Sequence, residues 1–191
     1  MKQTTKKEKF FKESLKLIHE KGFKAVTMRD IAQRLDFEPA NIYNYIDSKQ
    51  ALLELYLFDI SYEFHDSLNN ILRSSYSPED KLKLIISTHI LLTARKPYKM
   101  ALLVNEWRNL KEPKLTEFIE GKKVYENKIR DVIAKGIEEG QFRPMDIEIA
   151  TYSFLSSLRW IYDKYTDGES KINPFELEKQ ISDFVFTGMS K

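Results

Sequence analysis

Cysteine is absent from the 191 residues, which excludes disulfides, thiolate nucleophiles and cysteine-based metal sites. Histidine is scarce: His19, His65 and His89 are far apart and show no metal-ligand spacing, so no metal site is expected. No apolar run approaches the length of a membrane span. The opening MKQTTKKEKFFKESLKLI lacks the uninterrupted apolar core and small-residue cleavage site of a secretory signal. A cytoplasmic protein with no membrane partner is the expectation. There is no Gly-x-Ser-x-Gly elbow, phosphate loop or histidine cluster, so no catalytic residues and no cofactor are assigned. Internal repeats and low-complexity segments are missing as well.

What is present reads as helix. Hydrophobic residues make up 42% of the chain and aromatics 13%, enough to bury a substantial core. Phe10, Phe11, Leu15, Leu17 and Ile18 give a first amphipathic helix that Gly22 closes. Thr27 with Asp30 forms a capping-box pattern ahead of Ile31, Ala32 and Leu35, and Asp36 suits the left-handed residue that ends this second helix. Pro39 fits the first turn of a third helix, whose Ile42 and Ile46 form an inward i, i+4 pair. Ser48 can cap a fourth, running from 49 to 73. Five further helices begin at or just after Pro78, Pro97, Pro113, Pro144 and Pro174, the last also capped by Asn173. About nine helices and no convincing strand predict an all-α protein.

Residues 27 to 49, TMRDIAQRLDFEPANIYNYIDSK, have the layout of a helix-turn-helix DNA reader. The outward face of the second of these helices is Ala40, Asn41, Tyr43, Asn44 and Tyr45, with Pro39 at its start. Asn can bond adenine at two points, Ala can touch a thymine methyl and Tyr can donate to phosphate. A plain solvated face is equally consistent with the spacing alone. Charge favours nucleic acid. Through Lys49 the chain has eleven basic and seven acidic residues, a net +4 that includes Arg29, which leaves −2 for the remainder of a chain whose total is +2.

Residues 20 to 56, EKGFKAVTMRDIAQRLDFEPANIYNYIDSKQALLELY, resemble the DNA-binding domain of the TetR/AcrR family of transcriptional regulators through Gly22, Thr27, Ile31, Ala32, Tyr43, Ser48, Lys49 and Leu52. The resemblance implies a homodimer on a palindromic operator and a C-terminal domain that binds a small ligand and releases DNA. It implies phosphate contacts from Thr27, Tyr43 and Lys49, base contacts from Asn41 and Asn44, and a backbone contact from Tyr45. Two positions depart from the pattern: Asp36 stands where glycine is usual and Glu38 where a Ser or Thr cap is usual. Residues 133 to 189, and less closely Ile90 to Tyr125, are similar to TetR-family repressors of lipid metabolism that respond to acyl-CoA. A hydrophobic effector, with a fatty acyl-CoA first among candidates, is therefore implied; a drug, fatty acid or steroid-like molecule fits the same composition.

The domains implied are a helix-turn-helix domain over 1–48 and a ligand-binding and dimerisation domain over 49–191, with helix 49–73 joining them. Candidate ligand residues are His89, Trp107, Arg108, Tyr125, Tyr152, Arg159 and Trp160: large aromatic surfaces, a histidine on an apolar face, and two arginines able to hold a phosphate or carboxylate. Each aromatic also suits a packed core, and each arginine an ion pair. The last two helices carry apolar stripes, Phe154, Leu158, Ile161 and Tyr165 on one and Leu177, Ile181, Phe184 and Val185 on the other. The resemblance implies that these build the dimer interface. Two other classes of function stay open: a DNA-binding architectural or division-linked protein with no effector, and a small all-α enzyme on an apolar substrate.

Overall fold

The structure is a computed structural model that describes residues 5–167 and 172–189. Every regular element among them is helical. The helices are α1 (Lys6–Lys21), α2 (Met28–Leu35), α3 (Pro39–Ile42), α4 (Lys49–Arg73), α5 (Pro78–Arg95), α6 (Pro97–Asn105), α7 (Lys114–Glu138), α8 (Ile147–Arg159), α9 (Asp163–Thr166) and α10 (Pro174–Met189). The single turn α9 prolongs α8 through a 3-10 turn, so the ten segments make nine rods, in line with the all-α expectation.

Local chemistry accounts for the ends. α1 starts one turn ahead of its apolar stripe because Thr5 and Glu8 form a capping box that the spacing of apolar residues did not reveal. Thr27 and Asp30 cap α2 in the same way, Ser48 accepts from the Ala51 N–H at the head of α4, and Ser77, Asp146 and Asn173 cap α5, α8 and α10. Asp36 ends α2 in the left-handed region, at φ 55° and ψ 45°, as its short polar side chain permits. A β-branched residue there is strained. Asp36→Val should lose about 1–2 kcal/mol in urea unfolding, whereas Asp36→Gly should lose nothing.

The chain divides into two compact units. One gathers residues 1–60 and 98–118. Its core joins Phe10, Ile18, Ile31, Leu35 and Ile42 to Leu52, Leu53 and Leu57 of α4 and to Leu102, Leu110 and Phe118. The packing of the N-terminal helices therefore extends well past residue 48, because 1–48 alone holds too few apolar side chains to close a core. Tyr56 hydroxyl donates to the Phe11 carbonyl at 2.6 Å and lies 2.7 Å from Ser14 Oγ, and burial pushes its ionisation up. Glu106 Oε1 accepts from the Phe23 N–H at 3.1 Å.

The other unit comprises 61–97 and 119–191. Leu82, Ile85, Ile86 and Ile90 of α5 pack with Ile129 and Ile133 of α7, Phe154 and Leu158 of α8, and Leu177 and Ile181 of α10. α7 ends where the Gly136 carbonyl accepts from both the Gln141 and Phe142 N–H groups, which folds the buried Phe142 ring back against Gly136. Arg143 then fastens the C-terminal end of α10: its N–H donates to the Met189 carbonyl at 2.9 Å and its Nε to the Gly188 carbonyl at 2.8 Å. The division falls within α4 and α7, so each of these helices contributes residues to both units.

Candidate nucleic-acid interface and effector region

α2 and α3 form the expected pair. Ile31, Ala32 and Leu35 point into the core with Ile42, and α2 is held to α1 by Arg34, whose guanidinium grips both Glu20 oxygens at 2.8 and 2.9 Å. That grip holds the Glu20 carboxyl below its ordinary range. α3 is only four residues long. Its N-cap, Glu38, makes no side-chain cap bond, and after Ile42 the backbone passes into turns in which Tyr45 N–H donates to the Ile42 carbonyl.

Burial of Ile42 leaves Arg29, Pro39, Ala40, Asn41, Tyr43 and Asn44 exposed, Tyr43 by 57%. Six of the nine residues expected at DNA are thus exposed, five of them on α3 and the turn after it and Arg29 on α2. The other three are engaged within the protein. Tyr45 turns inward, stacked on Phe10 at 5.2 Å and Phe37 at 6.1 Å, because the chain leaves α3 before residue 45 can take its place on the outer face. Thr27 Oγ accepts from the Asp30 N–H at 3.1 Å and donates to the Asp30 carboxylate at 2.5 Å, holding that carboxyl below its ordinary range.

Lys49 Nζ donates to the Val26 carbonyl at 2.6 Å and the Phe23 carbonyl at 2.8 Å, and lies 4.5 Å from the centre of the Phe23 ring. Its side chain ties the α1–α2 connection to the head of α4 rather than standing ready for phosphate. Replacing it with Met leaves two carbonyls without their charged donor. Lys49→Met should lose roughly 2 kcal/mol of stability by chemical denaturation.

The candidate ligand residues fall into three groups instead of one. His89 and Tyr125 are brought together in the 61–97/119–191 unit, with His89 Nε2 2.8 Å from the Tyr125 hydroxyl and the Phe64 ring 4.5 Å from the imidazole. Trp107 and Arg108 belong to the other unit, where the guanidinium lies 4.4 Å from the indole centre and the indole stacks on Phe118 at 6.0 Å. Tyr152, Arg159 and Trp160 are exposed on the outer side of α8 and the turn after it. Their helical positions oppose the buried stripe, which is why they do not converge on His89.

Burial lowers the His89 pKa to about 4 and pushes Tyr125 up. His89 is therefore neutral in the fold but takes a proton near pH 6.5 once unfolded. Its contribution is complete above that pH and is lost as pH falls from 6.5 towards 4, to a total of about 3 kcal/mol. His65, whose pKa burial and then Lys128 also lower, acts in the same direction. Urea unfolding at pH 7 and pH 4.5 should show this loss, and His89→Gln should flatten it.

The predicted dimer stripe needs the largest correction. Phe154, Leu158, Ile161, Leu177, Ile181 and Val185 are buried in their own subunit, and Tyr165 is partly so; only Phe184 stands out, 77% exposed. The long apolar stripes on α8 and α10 fill the core against α5 and α7. A second stripe faces outward on α8, with Ile149 (68% exposed), Tyr152 and Trp160. Ile149 and Phe184, with Ala150, Ser153, Gly188 and Met189, line a groove of about 870 Å³ between α8 and α10. The signal was present in the sequence: apolar residues at 149, 152 and 160 do not belong to the stripe through 154 and 158.

No helix among the described residues is long and apolar enough to cross a membrane, and none of their acidic and histidine side chains group as a metal site.

The family model for the N-terminal part of bacterial regulatory proteins of the tetR family matches residues 10–56, and that for the tetracyclin repressor-like C-terminal domain matches residues 75–189. The HTH-type transcriptional repressor KstR2 of Mycolicibacterium smegmatis is 22% identical over 174 residues, which cover 90% of this chain and 84% of that protein. The ketosteroid transcriptional regulator KstR2 of Mycobacterium tuberculosis superposes with a TM-score of 0.90 at 19% identity, over 100% of this chain and 97% of the other. AibR in complex with isovaleryl coenzyme A and operator DNA superposes with a TM-score of 0.78 at 21% identity, over 96% and 97%. With its outward α3 surface and two family matches that together span most of its length, this chain belongs to the TetR family of bacterial transcriptional regulators.

Proposed function

We propose that the chain is a cytoplasmic, ligand-responsive repressor that binds a palindromic operator as a homodimer and leaves it when a hydrophobic effector, a fatty acyl-CoA first among candidates, enters the C-terminal domain. The observation that carries this reading is the exposed ridge of Asn41, Tyr43 and Asn44 above the buried Ile42. Asn41 and Asn44 read base edges, Ala40 meets a thymine methyl, and Arg29 and Tyr43 contact phosphate. Thr27 and Lys49 set the position of this surface through the protein contacts described above.

Residues 1–48 form the reading head and 49–191 the sensing and pairing part, joined by α4. The exposed faces of α8 and α10 pair two copies, which fixes the spacing of the two heads. Effector binding shifts α4 and so changes that spacing, and affinity falls because both half-sites can no longer be held together. The KstR2 repressors, and AibR captured with both an acyl-coenzyme A and operator DNA, support this assignment.

The test is a fluorescence-anisotropy titration against DNA from upstream of the gene and a scrambled control, with and without a long-chain acyl-CoA. Selective binding abolished by acyl-CoA supports the whole reading. Selective binding indifferent to it retains the DNA-binding regulator and discards that effector. Absence of selectivity at physiological salt rejects this operator.

A further inference from the structure

Glu38 stands at the head of the outward surface of α3, and its carboxylate does nothing inside the protein. The residue is exposed, makes no side-chain cap bond and has no ion pair among the described residues. Every carboxylate on α1 and α2 is occupied by contrast: Glu8 by Thr5, Glu13 and Glu20 by Arg34, and Asp30 by Thr27. Asp36 and Asp47 are also open to solvent, but the first closes α2 and the second lies past the turn that follows α3. Glu38 shares its end of α3 with the exposed Asn41, whose N–H donates to the Glu38 carbonyl at 2.8 Å.

A free carboxylate in a surface that meets DNA is unfavourable unless it finds a donor. The phosphate oxygens only accept, and their charge repels it, so the backbone offers it nothing. In the major groove guanine presents two acceptors, and thymine an acceptor and a methyl group, which leaves the amines of adenine and cytosine. On adenine the amine sits beside the N7 acceptor, which opposes an anionic oxygen. On cytosine the N4 amine is the only polar group of the edge, so that is the base a carboxylate fits best. From residue 38 to residue 41 a helix rises ~4.5 Å, about one to two base pairs at ~3.4 Å each, which puts this cytosine beside the base that Asn41 reads.

We propose that Glu38 is a specificity-determining residue of the DNA-reading surface, its carboxylate accepting a hydrogen bond from the N4 amine of one cytosine in each half-site. This rests on the reading of α3 as the base-contacting surface and is independent of the effector.

The experiment uses the full chain without effector. Duplexes are selected from a random pool by wild type, Glu38→Ala, Glu38→Gln and Asn41→Ala, and anisotropy titrations follow on the wild-type consensus and on single-pair changes of it. Wild type is expected to fix a C·G pair in each half-site, beside the position that Asn41→Ala relaxes. Glu38→Ala should lose about tenfold of preference at that pair and at no other. Glu38→Gln should move the preference towards A·T, because a carboxamide pairs with adenine N6 and N7 together. Glu38 variants that keep the wild-type consensus while binding every duplex more tightly overturn the proposal, since the carboxylate then only repels phosphate. A wild-type consensus with no C·G pair beside the Asn41 position overturns it as well. If Asn41→Ala relaxes a position and the Glu38 variants relax none, α3 remains the reading surface and Glu38 alone is rejected; if wild type selects no sequence at all, both fall.

Discussion

Phe184→Glu should convert the protein to a monomer in light-scattering chromatography and cut operator affinity by two to four orders of magnitude, while its helical circular-dichroism spectrum is unchanged. Phe184 is 77% exposed, so placing a charge there disturbs nothing inside the subunit. In the proposed dimer the same side chain leaves water together with Ile149, and a carboxylate on each copy, brought together by the two-fold symmetry, opposes association. Half-site contacts survive in each monomer. What disappears is the effective concentration that makes the second half-site bind almost without cost once the first is held, a gain of about 10²–10⁴. Leu158→Glu provides the contrast, since Leu158 is buried in the subunit core and its substitution should unfold the protein rather than separate the copies. A Phe184→Glu protein that stays dimeric, or a monomer that binds the operator undiminished, removes the α8–α10 face from the model.

Gly136→Ala should destabilise the protein by about 3 kcal/mol or more, the opposite sign from an ordinary helix position. Within a helix the change from glycine to alanine normally gains roughly 0.5–1 kcal/mol. At Gly136 an added Cβ overlaps the Phe142 ring, which is fully buried and lies 6.3 Å from the ring of Phe186. The ring has to leave its site, so the cost approaches that of deleting a buried phenylalanine, about 3–5 kcal/mol. Arg143 follows directly in sequence, and its two bonds to the last carbonyls of α10 loosen with it. Urea denaturation of Gly136→Ala beside Phe142→Ala checks this account: once the ring is gone the alanine has room, so the double variant should cost hardly more than Phe142→Ala alone.

The helices were legible because their signals are local. Thr27 with Asp30, Asp36, Ser48, Asn173 and the prolines at helix starts act within one turn of chain, and each end expected from them is present to within a few residues. Tyr45 was misplaced because an unbroken period was extended through α3, while the backbone leaves the helix after Ile42. The stripe through Phe154 and Leu177 was legible as apolar, but hydrophobicity does not say whether a core or a second subunit covers it. Only the arrangement of α5 and α7 decides that. The same limit applies to the effector region, where His89 and Tyr125 meet across 36 residues of chain while Trp107 and Arg108 fold into the other unit.

The N-terminal packing unit is not a contiguous stretch of chain: it takes in residues 98–118, and Leu102, Leu110 and Phe118 lie in the same core as Ile31 and Ile42. A reading head of this design is not a detachable cassette. Grafting residues 1–48 onto the body of a relative transfers the α3 surface but leaves the graft resting on foreign side chains at 102, 110 and 118. Chimeras that exchange operator preference between such regulators therefore need to carry the 98–118 segment along with the first sixty residues, and natural recombination at the end of the helix-turn-helix faces the same constraint.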